Sequence, residues 1–242
     1  MKRIPITMIL VLFGLLGIAN AQPSKPGTEN MLSERHRRIV AISATTAKGD
    51  LARLKSELDG GLDAGLTINQ IKESLVHAYA YCGFPRSLRG LQTFMEVLDE
   101  RKSKGITDEK GAEATPIKDD RSKYERGTDN LVQLTKLPPE AFKGGYAEFA
   151  PEIEVFLKEH LFADLFERDV LTFAERQLVT VSVLASIGGV EPMLRSHLNN
   201  SLNVGLTPDQ LRQFVEVIQS TLGKQEAEVA QSVLDEVIKN RK

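Results

Sequence analysis

The chain has 242 residues, enough to bury a substantial core as one large domain or two modest ones. With 41% hydrophobic and 26% charged residues it has the balance of a folded soluble protein, which excludes global disorder. A formal net charge of -2 with no dense basic stripe excludes an electrostatic footprint for nucleic acid, and a single cysteine, Cys82, excludes an intramolecular disulfide or a Cys-x-x-Cys redox pair.

At the N-terminus Lys2 and Arg3 precede an apolar run from Ile9 to Ile18 and then Ala19-Asn20-Ala21, the pattern of a secretory signal peptide over residues 1–21. The run is shorter than the ~20 residues a spanning helix needs. No Cys follows the cleavage site, so the expected product is periplasmic or secreted and free of the membrane once cleaved. Residues 22–32, with Pro23, Pro26 and Gly27, read as a flexible leader.

Ser33 is placed to cap a helix carrying Ile39, Val40 and Ile42, and Asp50 opens a second with Leu51, Leu54 and Leu58, stopped by Gly60-Gly61. Gly65 suits a helix end and Thr67 the next N-cap, ahead of Ile68, Ile71, Leu75 and Val76. Gly83-Phe84-Pro85 breaks this helix, and a further one from Arg86 to Arg101 aligns Leu88, Leu91, Met95 and Leu98. Together these form a first helical repeat over 33–104. Residues 105–130 turn polar and read as a solvated linker, before a second repeat over 131–242.

In that second part, Pro151 to Phe166 reads as a helix, and Thr172 with Glu175 has capping-box spacing ahead of the run Leu178 to Ile187. The run is apolar on more than one face, which predicts a central position. Helices follow over Glu191 to Asn203, from Thr207-Pro208, and from about Lys224 to Lys239. Leu62-Asp63-Ala64-Gly65-Leu66-Thr67 aligns with Leu202-Asn203-Val204-Gly205-Leu206-Thr207, Leu54 falls opposite Leu194, and one gap brings Glu34-Arg35 near Glu175-Arg176. The chain is therefore expected to be all-α, with two tandem diverged copies of one module.

Glu175-Arg176-Gln177-Leu178-Val179-Thr180, then Ser196-His197-Leu198 and Gly205-Leu206-Thr207-Pro208, resemble in order and spacing a motif of the carboxymuconolactone decarboxylase-like family, which includes the alkylhydroperoxidase D group. In the first copy, His77-Ala78-Tyr79-Ala80-Tyr81-Cys82-Gly83-Phe84-Pro85 resembles a segment of the decarboxylase-like members. Where alkylhydroperoxidase D relatives have a Cys-x-x-Cys-x-x-x-His cluster, this chain has Val190, Met193 and His197, so a dithiol cycle has no second sulfur.

For the decarboxylase branch the resemblance implies loss of carbon dioxide from a carboxylated unsaturated lactone or related organic acid. His197 would supply the proton, Glu175 would orient the imidazole or raise its pKa, and Arg176 or Arg195 would bind the carboxylate, with His77 lining a pocket beside Tyr79 and Tyr81. Each residue also fits a structural role: His197 bordering the core, Glu175 as a cap, the arginines as solvated or paired surface groups, Cys82 as a small buried hydrophobe. Two other readings stay open, a non-catalytic exported ligand-binding protein and a peroxide role resting on Cys82. No cofactor or metal is expected. The partner is a small molecule, and relatives of this kind imply a homo-oligomer, here a trimer of two-repeat chains.

Overall fold

The computed structural model describes residues 31–241, so the expected signal peptide and the leader up to residue 30 lie outside the described residues. Helix α1 (Glu34–Lys48) starts at Ser33, whose hydroxyl accepts from the His36 N–H, and ends at Gly49 in the left-handed conformation. α2 (Leu51–Asp63) starts at Asp50, and α3 (Ile68–Ser103) starts in a capping box between Thr67 and Gln70. Gly60-Gly61 does not stop α2, which runs on to Asp63 with Gly61 buried.

The expected break in α3 is present as a kink. Gly83 adopts φ 81° and ψ 160°, a conformation that denies Pro85 the helical partner its ring could not accommodate and that suits only glycine. At the equivalent point of the second repeat, Gly223 (φ 126°) separates α9 (Pro208–Thr221) from α10 (Lys224–Asn240). The first two helices of that repeat are α7 (Phe173–Ile187) and α8 (Glu191–Asn203). Capping boxes at Thr172–Glu175 and Thr207–Gln210 open α7 and α9. Among the described residues the fold is all-α, and no helix is long and apolar enough to cross a membrane.

The caps correct the expected alignment of the two copies. Ser33 stands opposite Thr172, which puts Arg37, not Arg35, opposite Arg176 and His36 opposite Glu175. The two first helices, α1 and α7, pack on each other at the centre, and every residue of α1 from Ile39 to Ala47 and of α7 from Glu175 to Ser186 is buried. Each then packs on the third helix of the other copy, α7 on α3 and α1 on α9, so the two repeats share one core.

Residues 105–130 are not simply a solvated linker. Their first part straps the start of α3, where the Ile68 and Asn69 N–H groups donate to the Glu109 and Lys110 carbonyls at 2.9 Å, satisfying donors that a helix N-terminus leaves open. Their end enters α4 (Lys123–Thr135). Two short helices, α5 (Tyr146–Phe149) and α6 (Pro151–Val155), lead into a π-helical segment over Phe156–Leu165 where sequence periodicity predicts a plain α-helix. α4 cradles this segment. Gly127 lies so close to it that a Cβ would stand 1.8 Å from the Lys158 carbonyl oxygen, and Asn130 Nδ2 donates to Phe162 O at 2.8 Å.

Candidate active site

A partly open cavity of about 680 Å³ lies between α3, α4, the π-helical segment, α7 and α8. Its wall is largely apolar, with Leu131, Phe142, Leu157, Leu161, Phe162 and Leu184. Tyr81 enters from α3, His197, Asn199 and Asn200 from α8, and Glu154 and Lys158 from α6 and the π-helical segment. Long π-helical runs are rare and widen a helix locally, and here one presents Leu157, Lys158, Leu161 and Phe162 to one space.

The imidazole of His197 sits in a neutral setting. Its Nδ1 meets Gln177 Oε1 at 3.0 Å, which assigns the proton to Nδ1 because the amide oxygen only accepts. Nε2 has no hydrogen-bond partner among the described residues and is left for the cavity. Burial lowers the pKa of His197 from 6.5 to about 4, so at neutral pH the ring is uncharged and Nε2 is a proton acceptor. The Tyr81 ring stands edge-on to it, with centroids 5.6 Å apart, and burial raises the phenol pKa to about 12, partly offset by Thr180 and Arg176.

Behind Tyr81 lies a second, enclosed polar layer. Arg176, fully buried at 0% exposure, donates from one terminal nitrogen to Glu73 Oε1 at 2.7 Å and from the other to His77 Nδ1 at 3.3 Å. Thr180 Oγ1 donates to Arg176 O at 2.9 Å and faces His77 Nε2 at 3.0 Å, so His77 donates from Nε2 and accepts at Nδ1. Burial first, then the Arg176 charge, holds His77 well below its ordinary pKa and keeps it neutral. Arg168 closes the layer with two hydrogen bonds of 3.0 Å to Glu73. The donors come from both repeats, so neither copy alone forms this arrangement.

Of the residues expected to carry catalysis or bind substrate, only His197 lines the cavity, and Tyr81, expected beside His77, lines it too. Glu175 does not meet it: the carboxylate is closed onto its own N-cap, accepting from the Thr172 N–H at 2.8 Å and the Thr172 hydroxyl at 2.9 Å. A carboxylate three residues inside a helix reaches its cap with little loss of side-chain freedom, which outcompetes a more distant imidazole. Arg195 is exposed and paired with Glu236 at 2.6 Å, away from the cavity. Arg176 and His77 are brought together, but behind the wall instead of in it. Cys82 donates to Ala78 O at 3.2 Å, and burial raises its thiol pKa to about 11, the opposite of what a thiolate nucleophile needs.

Sequence reasoning missed Gln177, Glu73, Lys158 and Glu154. Glu73 had a signal, an acid between Ile71 and Leu75 on the buried stripe of α3. Lys158 had one too, as a lone cation in the apolar run that begins at Phe156. Among the described residues no group of His, Cys, Asp and Glu is disposed to hold a metal ion.

The family model of the carboxymuconolactone decarboxylase family matches residues 25–94 and 151–236. The chain belongs to that family. The double match falls on the two helical repeats and omits the strap and α4, so this family member is a tandem duplication with an insertion. No individual curated protein matches the chain.

Proposed function

We propose that this family member takes a small carboxylated lactone or related organic acid into the cavity and uses His197 as its acid-base group. The observation that supports this is the free Nε2 of a neutral imidazole at the wall of a largely apolar cavity whose size suits a small ligand. In a decarboxylation the bond to the carboxylate carbon breaks, its electron pair moves toward the lactone carbonyl, carbon dioxide departs and a proton is delivered to carbon. With a pKa of about 4, His197 carries no proton at Nε2 beforehand, so it relays one from solvent water to the carbon that carbon dioxide leaves, and each turnover consumes one proton from solvent. This replaces the expected His197–Glu175 pair with a His197–Gln177 pair. Gln177 fixes the tautomer without raising the pKa.

The test is turnover of carboxylated lactones by wild type and His197→Gln. Turnover that falls at least about 100-fold in the variant supports the reading. No turnover by wild type, or an unchanged variant, overturns the catalytic role. One observation favours the second reading, an exported binding protein without chemistry: no carboxylate among the described residues hydrogen-bonds His197 to complete an acid-base pair. Ligand binding without conversion would select it. Self-association belongs to the same proposal and is supported by Phe84, Leu88 and Met95, all exposed on one face of the second half of α3. Light scattering that gives a monodisperse monomer would overturn it.

A further inference from the structure

We infer that Lys158 is an anion-binding subsite of the cavity, that the chain's own Glu154 is its resting counterion, and that an organic monoanion with an apolar body displaces Glu154 from it. The inference rests on the cavity being the ligand site. Among the residues lining it, Lys158 is the one Lys or Arg and Glu154 the one carboxylate.

Lys158 is only 6% exposed, yet its ammonium reaches the cavity wall, where Nζ donates to Glu154 Oε1 at 2.5 Å and to Tyr124 Oη at 2.8 Å. Tyr124 in turn donates to the same Glu154 oxygen at 3.1 Å. A carboxylate at this point therefore receives two hydrogen bonds from groups that α4 and the π-helical segment hold in place. Gly127 fixes the spacing of those two elements at the Lys158 backbone.

Glu154 is the more mobile partner. It is partly exposed, whereas Lys158 is enclosed, so moving the acid into water costs less than moving the ammonium. Lys143 is close enough to act on the Glu154 carboxyl, which Lys158 first and Lys143 last hold below its ordinary pKa. A departing Glu154 thus keeps a second cation, Lys143, within electrostatic reach. Exchange of one carboxylate for another leaves the buried ammonium paired throughout, which avoids the large cost of an isolated internal charge. Burial pulls the Lys158 pKa down, but Glu154 and Tyr124 outweigh it and the ammonium stays charged at neutral pH. A ligand seated with its anion here lays its apolar body along Phe142, Leu157 and Phe162, in the cavity that His197 enters from α8.

The experiment measures binding of benzoate and of uncharged benzamide by titration calorimetry, to wild type and to Glu154→Gln, Lys158→Met, Lys158→Arg and His197→Gln. Wild type should prefer benzoate by about tenfold or more. Glu154→Gln, which removes the internal competitor and leaves the lysine in place, should tighten benzoate several-fold and leave benzamide unchanged. Lys158→Met should lose the preference, Lys158→Arg should keep it, and His197→Gln should keep it as well. If Lys158→Met does not fold, the Glu154→Gln result decides. Benzoate bound by wild type no better than benzamide, or a preference unchanged in both Lys158→Met and Glu154→Gln, overturns the subsite and leaves His197 untouched. If neither probe binds wild type, the cavity reading falls and takes this inference with it.

Discussion

In the first repeat Arg38 closes onto Glu57 at 2.9 Å; at the equivalent place in the second, Gln177 meets His197 at 3.0 Å. Across the repeats Arg37 donates to Gln213 Oε1 at 3.0 Å, while its counterpart Arg176 is locked to Glu73 at 2.7 Å. The same helical frame therefore holds an ion pair where the other copy holds a neutral imidazole, and an amide where the other holds a buried carboxylate. The comparison teaches where chemistry can reside. An ion pair satisfies both partners and leaves nothing free, whereas the amide engages one imidazole nitrogen and leaves the second for a ligand.

The largest expected effect breaks the cross-repeat contrast. Glu73→Ala strands a fully buried guanidinium and should cost about 3–5 kcal/mol in urea denaturation. Gln213→Ala, at the matching position, loses the bonds from Arg37 and from the Leu32 N–H and should cost about 1–2 kcal/mol. Equal losses would mean that the two contacts are energetically alike.

Acid sharpens the contrast next. The folded pKa of His197 lies below its unfolded value, so its contribution is fully present above pH 6.5 and is lost as pH falls toward 4, where the unfolded chain binds the extra proton. Stability should drop by on the order of 3 kcal/mol over that window from His197 alone, with His77 adding loss in the same direction. Thermal melts across the range should be flatter for His197→Gln, and an unchanged slope would remove the burial argument. Turnover that depends on the neutral ring should likewise survive down to about pH 4 and fall below it.

A smaller effect tests the inserted roof, α4, which lies between the two matched regions. Gly127→Ala forces α4 off the Lys158 carbonyl and should cost about 1–3 kcal/mol, with weaker benzoate binding in calorimetry. Cys82→Ser should shift stability by less than about 1 kcal/mol, since a hydroxyl can also donate to Ala78 O. Peroxide consumption that falls in this variant would reopen a thiol role.

Much of the frame is legible in the residue order because its determinants are local. Ser33, Thr67, Thr172 and Thr207 each cap a helix through bonds spanning a few residues, and Gly83 interrupts α3 where Pro85 demands it. The site was less legible because its contacts are remote in the chain. Glu73 and Arg176 meet only when α3 packs on α7, and the capping-box spacing of Thr172 and Glu175, though legible, does not by itself decide between the cap and His197 for the carboxylate. The π-helical turn is hidden as well, since Phe156–Leu165 is apolar on several faces and gives no period that separates it from an α-helix.

Joining the two modules in one polypeptide has a further result. Identical subunits built around a twofold must present the same residues at both related places, and any substitution appears twice. Here the covalent tie lets Glu57 and His197 differ independently, so one location can be given over to rigidity while the other keeps an imidazole nitrogen unengaged by the residues around it. The insertion between the modules could likewise evolve independently of both, and among the described residues it roofs the location that holds His197.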